Sequence, residues 1–285
     1  MGPTLSIAIA LLLGTTAAAC ESSPDSEVVN QLKEMNKRLK SVEARLDASA
    51  RGGGGPMVGE RGGPGAPAAG AAGAGQRPPG PNPAEVYAVP IDGAPWEGAR
   101  DAKVTIVKGY DYACPYCEKV RGTLDQLLAD YRGDLKVVHK MLVVHPQVAT
   151  LPAEAVCAAN LQGKFEPMDD LVWDKGFKNN RDLSQENLDK LAAEAGLDLD
   201  RFHRDQAGQC KLIVAKDQTD LRKVGAGGTP SFFINGRFLS GARPIEQFKA
   251  LIDEELKKAN ERISKGTPVR DYYRAWVLQK GKTSV

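Results

Sequence analysis

Two cysteines separated by two residues, Cys114 and Cys117, stand where a short strand gives way to a helix, and that junction limits the folds open to this chain. Val104 to Val107 is a β-branched run suited to a buried strand. It passes through Gly109-Tyr110-Asp111-Tyr112-Ala113 into Cys114-Pro115-Tyr116-Cys117. Val120, Leu124, Leu127, Leu128 and Tyr131 then recur at helical spacing, and Leu135 to Val138 predicts another strand. A cysteine at a helix N-terminus meets unpaired backbone N–H groups and the positive end of the helix dipole, both of which favour thiolate over thiol. Cys114 is therefore the candidate nucleophile. Pro115 fits the first helical turn, where its missing N–H loses no bond. Tyr116 separates it from Cys117, the candidate resolving thiol one turn further in. The same spacing is half of a zinc site. No second CxxC or Cys/His pair stands at zinc-finger distance, so no metal or other cofactor is expected beyond the cysteine pair itself.

A second element lies far along the chain. Gly228-Thr229-Pro230 precedes Ser231 to Ile234, then Asn235-Gly236, then Phe238 and Leu239, a pattern that predicts strand, hairpin turn and strand. Taken with the upstream CxxC, it resembles the thioredoxin superfamily. The resemblance implies that Pro230 is a cis-proline beside the redox pair and that Thr229 offers backbone hydrogen bonds to a substrate; an ordinary trans bond is the alternative. Between Cys114 and Pro230 the chain reads largely as helices. Leu151 to Ala159 is Ala-rich, Met168 to Trp173 is a short candidate, and Ser184 is an N-cap with Leu183 and Leu188 as a staple. Phe202 to Ala207 and Cys210 to Val224 follow. A helical insertion over about 148–224, with Gly163-Lys164-Phe165 and the Gly228 to Gly236 segment, is similar to the DsbA-like thiol-disulfide oxidoreductases. The fold class expected is thus α/β, a thioredoxin fold carrying an inserted α-helical domain over 85–262, with a helical tail over 263–285.

One residue departs from that family. Six positions before the nucleophile, where a buried acid is usual, stands Lys108. Pointing at the site, its charge would favour the Cys114 thiolate; otherwise it is a strand lysine whose ammonium reaches solvent. Cysteine parity leaves Cys157 and Cys210, each in a predicted helix of the insertion, and the resemblance is compatible with a structural disulfide between them. Two buried free thiols are the other reading. His139, His145 and His203 have no ligand spacing, and Trp96, Trp173 and Trp276 read as packing residues.

The N-terminal part is of another kind. Leu5 to Leu13 is apolar and runs into Ala17-Ala18-Ala19-Cys20, which reads as a signal peptide over 1–19. Its end resembles a bacterial lipoprotein cleavage box, with Ala17 where Leu is usual, and implies lipidation of Cys20. Val28, Leu32, Met35, Leu39, Val42 and Leu46 alternate in steps of four and three, the spacing of a coiled-coil stalk within 20–50 and of a homo-oligomer through 28–46. A single amphipathic helix is the alternative. Over 51–84 nearly everything is Gly, Pro or Ala, a disordered linker that cannot build a core.

Charge excludes one class of function. With 38 basic against 36 acidic residues the chain carries a formal +2, too little for a nucleic-acid footprint. The expectation is an exported thiol-disulfide oxidoreductase on the periplasmic side of a bacterial cell envelope. It would form, isomerise or reduce disulfides in cysteine-containing envelope proteins, together with a redox partner protein and a membrane held through the lipid anchor. Two other readings use the same residues: a copper(I)-binding protein, thiolates being good ligands for soft metals, and a tethered chaperone-like scaffold.

Overall fold

The computed structural model describes residues 80–285 together with Lys33, Lys37, Lys40 and Ser41, which are helical and exposed. The signal segment, Cys20, the apolar seam from Val28 to Leu46 and the linker up to residue 79 lie outside the described residues. The chain divides into two units, Met1–Ala71 and Ala72–Val285, and the sheet lies in the second.

That sheet has five strands: β1 (Trp96–Gly98), β2 (Val104–Tyr110), β3 (Leu135–Met141), β4 (Ser231–Ile234) and β5 (Arg237–Ser240). Their order is β1-β3-β2-β4-β5, with β2 and β3 parallel and the other neighbours antiparallel. β2 is central and every one of its residues is buried, so it reads as a largely apolar run broken by Thr105 and Lys108. It extends to Tyr110, three residues past the β-branched run, because pairing with β3 and β4 carries the strand on where propensity alone stops. Asn235 and Gly236 both take positive φ, 43° and 83°, the left-handed pair that matches a two-residue hairpin to strand twist.

The helices are α1 (Pro115–Lys119), α2 (Arg121–Asp130), α3 (Pro146–Leu161), α4 (Phe165–Leu171) running on as a π-helical turn (Val172–Phe177), α5 (Gln185–Glu194), α6 (Leu199–Ala207), α7 (Gln209–Lys223) and α8 (Ile245–Ser264). Those from α3 to α7 form the insertion between β3 and β4. Ser184 caps α5 by accepting from the Asn187 N–H, as its sequence signature predicts. On one sheet face Val104 and Ile106 pack against Val120, Leu124 and Leu127 and against Phe248 and Ile252 of α8. On the other, Val107, Val138 and Phe233 meet Leu221, Tyr273 and Val277. The insertion has its own core around Trp173, Leu188 and Phe202, which reaches Cys117.

The tail forms a 3-10 turn (Val269–Asp271) and a π-helical turn (Tyr273–Leu278). It is held on the second unit by the Tyr273 hydroxyl, which donates to the Val89 carbonyl at 2.8 Å, and by Lys282 pairing with Val86 and Ala88. Within the expected 51–84 linker, Pro81 is buried and Arg237 donates to the Pro83 carbonyl at 2.6 Å. Trp96 is not a packing residue. It is 41% exposed, and Lys136 stands 4.8 Å over its ring, because β1 is an edge strand with one face open.

Candidate active site

Cys114 is the N-cap of α1, with extended backbone (φ −89°, ψ 114°), and Pro115 occupies the first turn. The Cys114 carbonyl accepts from the Cys117 and Glu118 N–H groups, so its side chain sits over the helix start. Its Sγ lies 3.4 Å from the carbonyl oxygen of Thr229, and the Thr229–Pro230 peptide is cis. Gly109 pairs with Ser231 across β2 and β4, which brings the two distant segments to one end of the sheet. Pro230 is buried, Thr229 is partly exposed, and Tyr116 is 62% exposed beside the thiol.

The two sulfurs are driven apart in acidity. The Cys114 thiol is lowered to about 5, first by hydrogen bonding from Cys117 and then by Thr229 and the Cys117 and Tyr116 N–H groups, against the opposing effect of burial. Cys117 is fully buried, and that burial together with the neighbouring Cys114 raises its thiol well above the usual range. Alkylation of reduced Cys114 is accordingly expected to fall to half its plateau rate near pH 5, lost below as the thiolate is protonated. At pH 6 it holds about 300-fold more thiolate than a free cysteine titrating near 8.5. The lower nucleophilicity of a weaker base reduces that to about tenfold in rate. A half-point near 8 in an iodoacetamide pH series would contradict it.

Asp111 organises the loop and was not singled out from sequence. Buried, it accepts from the Ala113 N–H at 2.7 Å and from the Val144 and His145 N–H groups at 2.7 and 2.9 Å, with His145 Nδ1 at 3.3 Å. The only sequence signal was an Asp two residues before Ala113, an Asx-turn pattern. The insertion grips the same loop. Asp169 accepts from the Tyr110 and Tyr112 hydroxyls, Trp173 lies 4.8 Å from the Tyr112 ring, and Arg121 pairs with Asp170 and Asp174. Lys108 does not reach bulk solvent: it is 1% exposed, with its ammonium 4.3 Å from the centroid of the Tyr110 ring.

Cys157 on α3 and Cys210 on α7 are joined by a disulfide, with Cα atoms 5.7 Å apart. His139 is buried with Nε2 2.8 Å from Glu97, and His203 pairs with Asp189 at the surface. Among the described residues no group of three or more His, Cys, Asp or Glu is arranged to hold a metal ion.

Known proteins share this fold. The solved thioredoxin-like oxidoreductase from Silicibacter pomeroyi is 26% identical, with a TM-score of 0.52 over 58% of this chain and 94% of its own. Oxidised BdbD from Bacillus subtilis is 22% identical, with a TM-score of 0.56 over 61% and 98%, a likeness of fold. Among curated proteins, the Na(+)/H(+) antiporter NhaA of Herminiimonas arsenicoxydans is 35% identical over 159 residues, 55% of this chain and 24% of the antiporter. The chain spans about a quarter of the length of the curated relatives it matches. The family profile described as Thioredoxin matches residues 92–254, and the chain belongs to the thioredoxin family, with a helical domain inserted between β3 and β4.

Proposed function

We propose that this protein is a thiol-disulfide oxidoreductase acting on cysteine-containing proteins of the cell envelope, with Cys114 as nucleophile, Cys117 as resolving thiol, Pro115 and Tyr116 shaping the turn, and Thr229 with Pro230 docking the substrate chain. The observation that carries the reading is the Cys114 sulfur at a helix start, acidified to about 5 and 3.4 Å from the Thr229 carbonyl, with a second, buried sulfur one turn behind. In the oxidising direction a substrate thiolate attacks Cys114 of the disulfide form. The Cys114–Cys117 bond breaks, Cys117 leaves with the electron pair and takes a proton, and a second substrate thiolate then displaces Cys114. Acidity makes Cys114 a good leaving group in that last step, since a lower leaving-group pKa speeds departure. In the reducing or isomerising direction the Cys114 thiolate attacks first, and Cys117 releases the product. The thioredoxin-like oxidoreductase from Silicibacter pomeroyi supports the chemistry.

Presentation of the catalytic unit is inferred from sequence. Lipidation at Cys20 would tether the chain to a membrane, and the 28–46 seam would join copies. No helix among the described residues is long and apolar enough to cross a membrane.

The test is Cys117→Ser, which leaves attack at Cys114 intact and removes resolution. Expressed in a bacterial envelope, it is expected to accumulate mixed disulfides with other proteins, released by dithiothreitol on non-reducing gels. Absence of such adducts, together with stoichiometric copper(I) binding by the wild type, would replace this reading with soft-metal capture.

A further inference from the structure

Charge is unevenly placed in this chain. Residues 257–282 hold eight lysines and arginines against two acids, a local +6 in a chain of +2, so the remainder is net acidic. The stretch comprises the end of α8 and the tail that packs beside it. Between them lies a cleft of about 350 Å³, bordered by Glu255, Lys258 and Arg262 of α8, by Trp276 and Lys280 of the tail, and by Val86.

Arg262 is the built part of that cleft. Its guanidinium lies 4.0 Å over the Trp276 ring and donates to the Tyr272 hydroxyl at 3.2 Å, and the Trp276 N–H is itself held by the Thr267 hydroxyl at 3.2 Å. Stacking fixes the plane of the fork, yet the bond to Tyr272 uses only one of its five N–H groups. Among the described residues neither Arg262 nor the exposed Lys280 is in an ion pair. The carboxylate in the cleft, Glu255, is already taken by Lys258 at 2.7 Å and Arg237 at 3.4 Å. An oriented guanidinium with unspent donors, beside a second unpaired cation, suits a phosphate, which accepts two parallel N–H bonds from one arginine.

The surroundings say which phosphate. A small soluble anion would use two or three cations, whereas eight along one stretch match an extended anionic surface, where every Lys or Arg within a Debye length adds attraction. Asn235 also borders the cleft, and its N–H donates to the Thr105 carbonyl near the start of β2, while Cys114 follows the opposite end of that strand. The chain enters the fold on the cleft side too: Arg237 holds the Pro83 carbonyl, and Lys282 pairs with Glu85 at 3.2 Å. We propose that the cleft between α8 and the tail docks the protein on an anionic phospholipid surface, with Arg262 and Lys280 taking a headgroup phosphate. So seated, the sheet presents its cysteine end away from the bilayer. The site is separate from the exchange chemistry and does not depend on its direction.

The experiment uses the full chain carrying Cys20→Ser, so that no acyl group contributes, sedimented with vesicles of phosphatidylcholine alone or mixed with phosphatidylglycerol. The protein is expected to prefer the anionic vesicles, and less so as salt is raised. Each basic residue near such a surface is worth about fivefold in partitioning, so adding Arg262→Gln and Lys280→Gln is expected to weaken binding to the anionic vesicles about 25-fold. Lys175→Gln with Lys190→Gln removes the same charge from exposed positions on the insertion and is expected to stay within about threefold. No loss in the cleft pair, or an equal loss in the insertion pair, overturns the inference. Should the cleft pair not fold, Lys280→Gln alone decides it, with about fivefold weaker binding expected and unchanged binding overturning the inference. Inorganic phosphate bound in the absence of vesicles, with no preference for the anionic ones, would assign the cleft to a soluble phosphate and overturn the membrane docking.

Discussion

Cys114→Ser is expected to remove disulfide exchange altogether, with a residual rate at or below about one-thousandth of wild type, as loss of a nucleophile does in enzymes that work through one. The effect is this large because the second sulfur cannot substitute. Cys117 is fully buried, and its thiol is pushed well above the usual range by that burial, so it offers neither an accessible atom nor an appreciable thiolate population. A serine hydroxyl at the helix start would meet the same N–H groups but forms no bond that exchanges with a disulfide. Oxidation of a reduced dithiol peptide, followed by mass, measures it. A residual rate of several per cent would mean that a different sulfur does the chemistry.

The second large effect is on stability. Replacing both Cys157 and Cys210 with alanine removes a cross-link between α3 and α7 with a sequence separation of 53. Loop closure of that length is worth about 4 kcal/mol in the chain-entropy account. Set against the 5–15 kcal/mol typical of a domain, that is a large fraction. For a unit of this size it corresponds to a fall in Tm of roughly 8–16 °C. Thermal unfolding under non-reducing conditions reads it, and a shift below about 3 °C would show that the unfolded chain gains little freedom. The acidity of Cys114 is expected to survive, because its causes are Cys117, Thr229 and backbone N–H groups, none of which belongs to the bridge.

These two expectations draw on different depths of information. The position of Cys114 at a helix start was legible because every signal is local: a β-branched run, a CxxC and an apolar period within about thirty residues. The Asn235-Gly236 turn and the Ser184 cap were legible for the same reason. The first helix of the insertion, α3, begins at Pro146 rather than near Leu151, since a proline at a first turn starts a helix as readily as it breaks one. Asp111 was missed because its partners, Val144 and His145, are more than thirty residues away and are backbone groups that leave no trace in residue type.

By itself, then, the amino-acid order determined where β2 begins, where the Asn235-Gly236 turn and the Ser184 cap fall, and which cysteine stands where a helix begins, since propensity, capping and side-chain period act over a few residues. The folded chain decided what surrounds that cysteine. It brought Thr229 across 115 residues to within 3.4 Å of the sulfur, set Asp169 against two tyrosines of the loop, and buried Lys108 with its ammonium over the Tyr110 ring. Those placements follow from how β2 pairs with β4 and how the insertion packs on the sheet. Only the closed core brings such distant groups together, and only its low-dielectric interior makes their charges count.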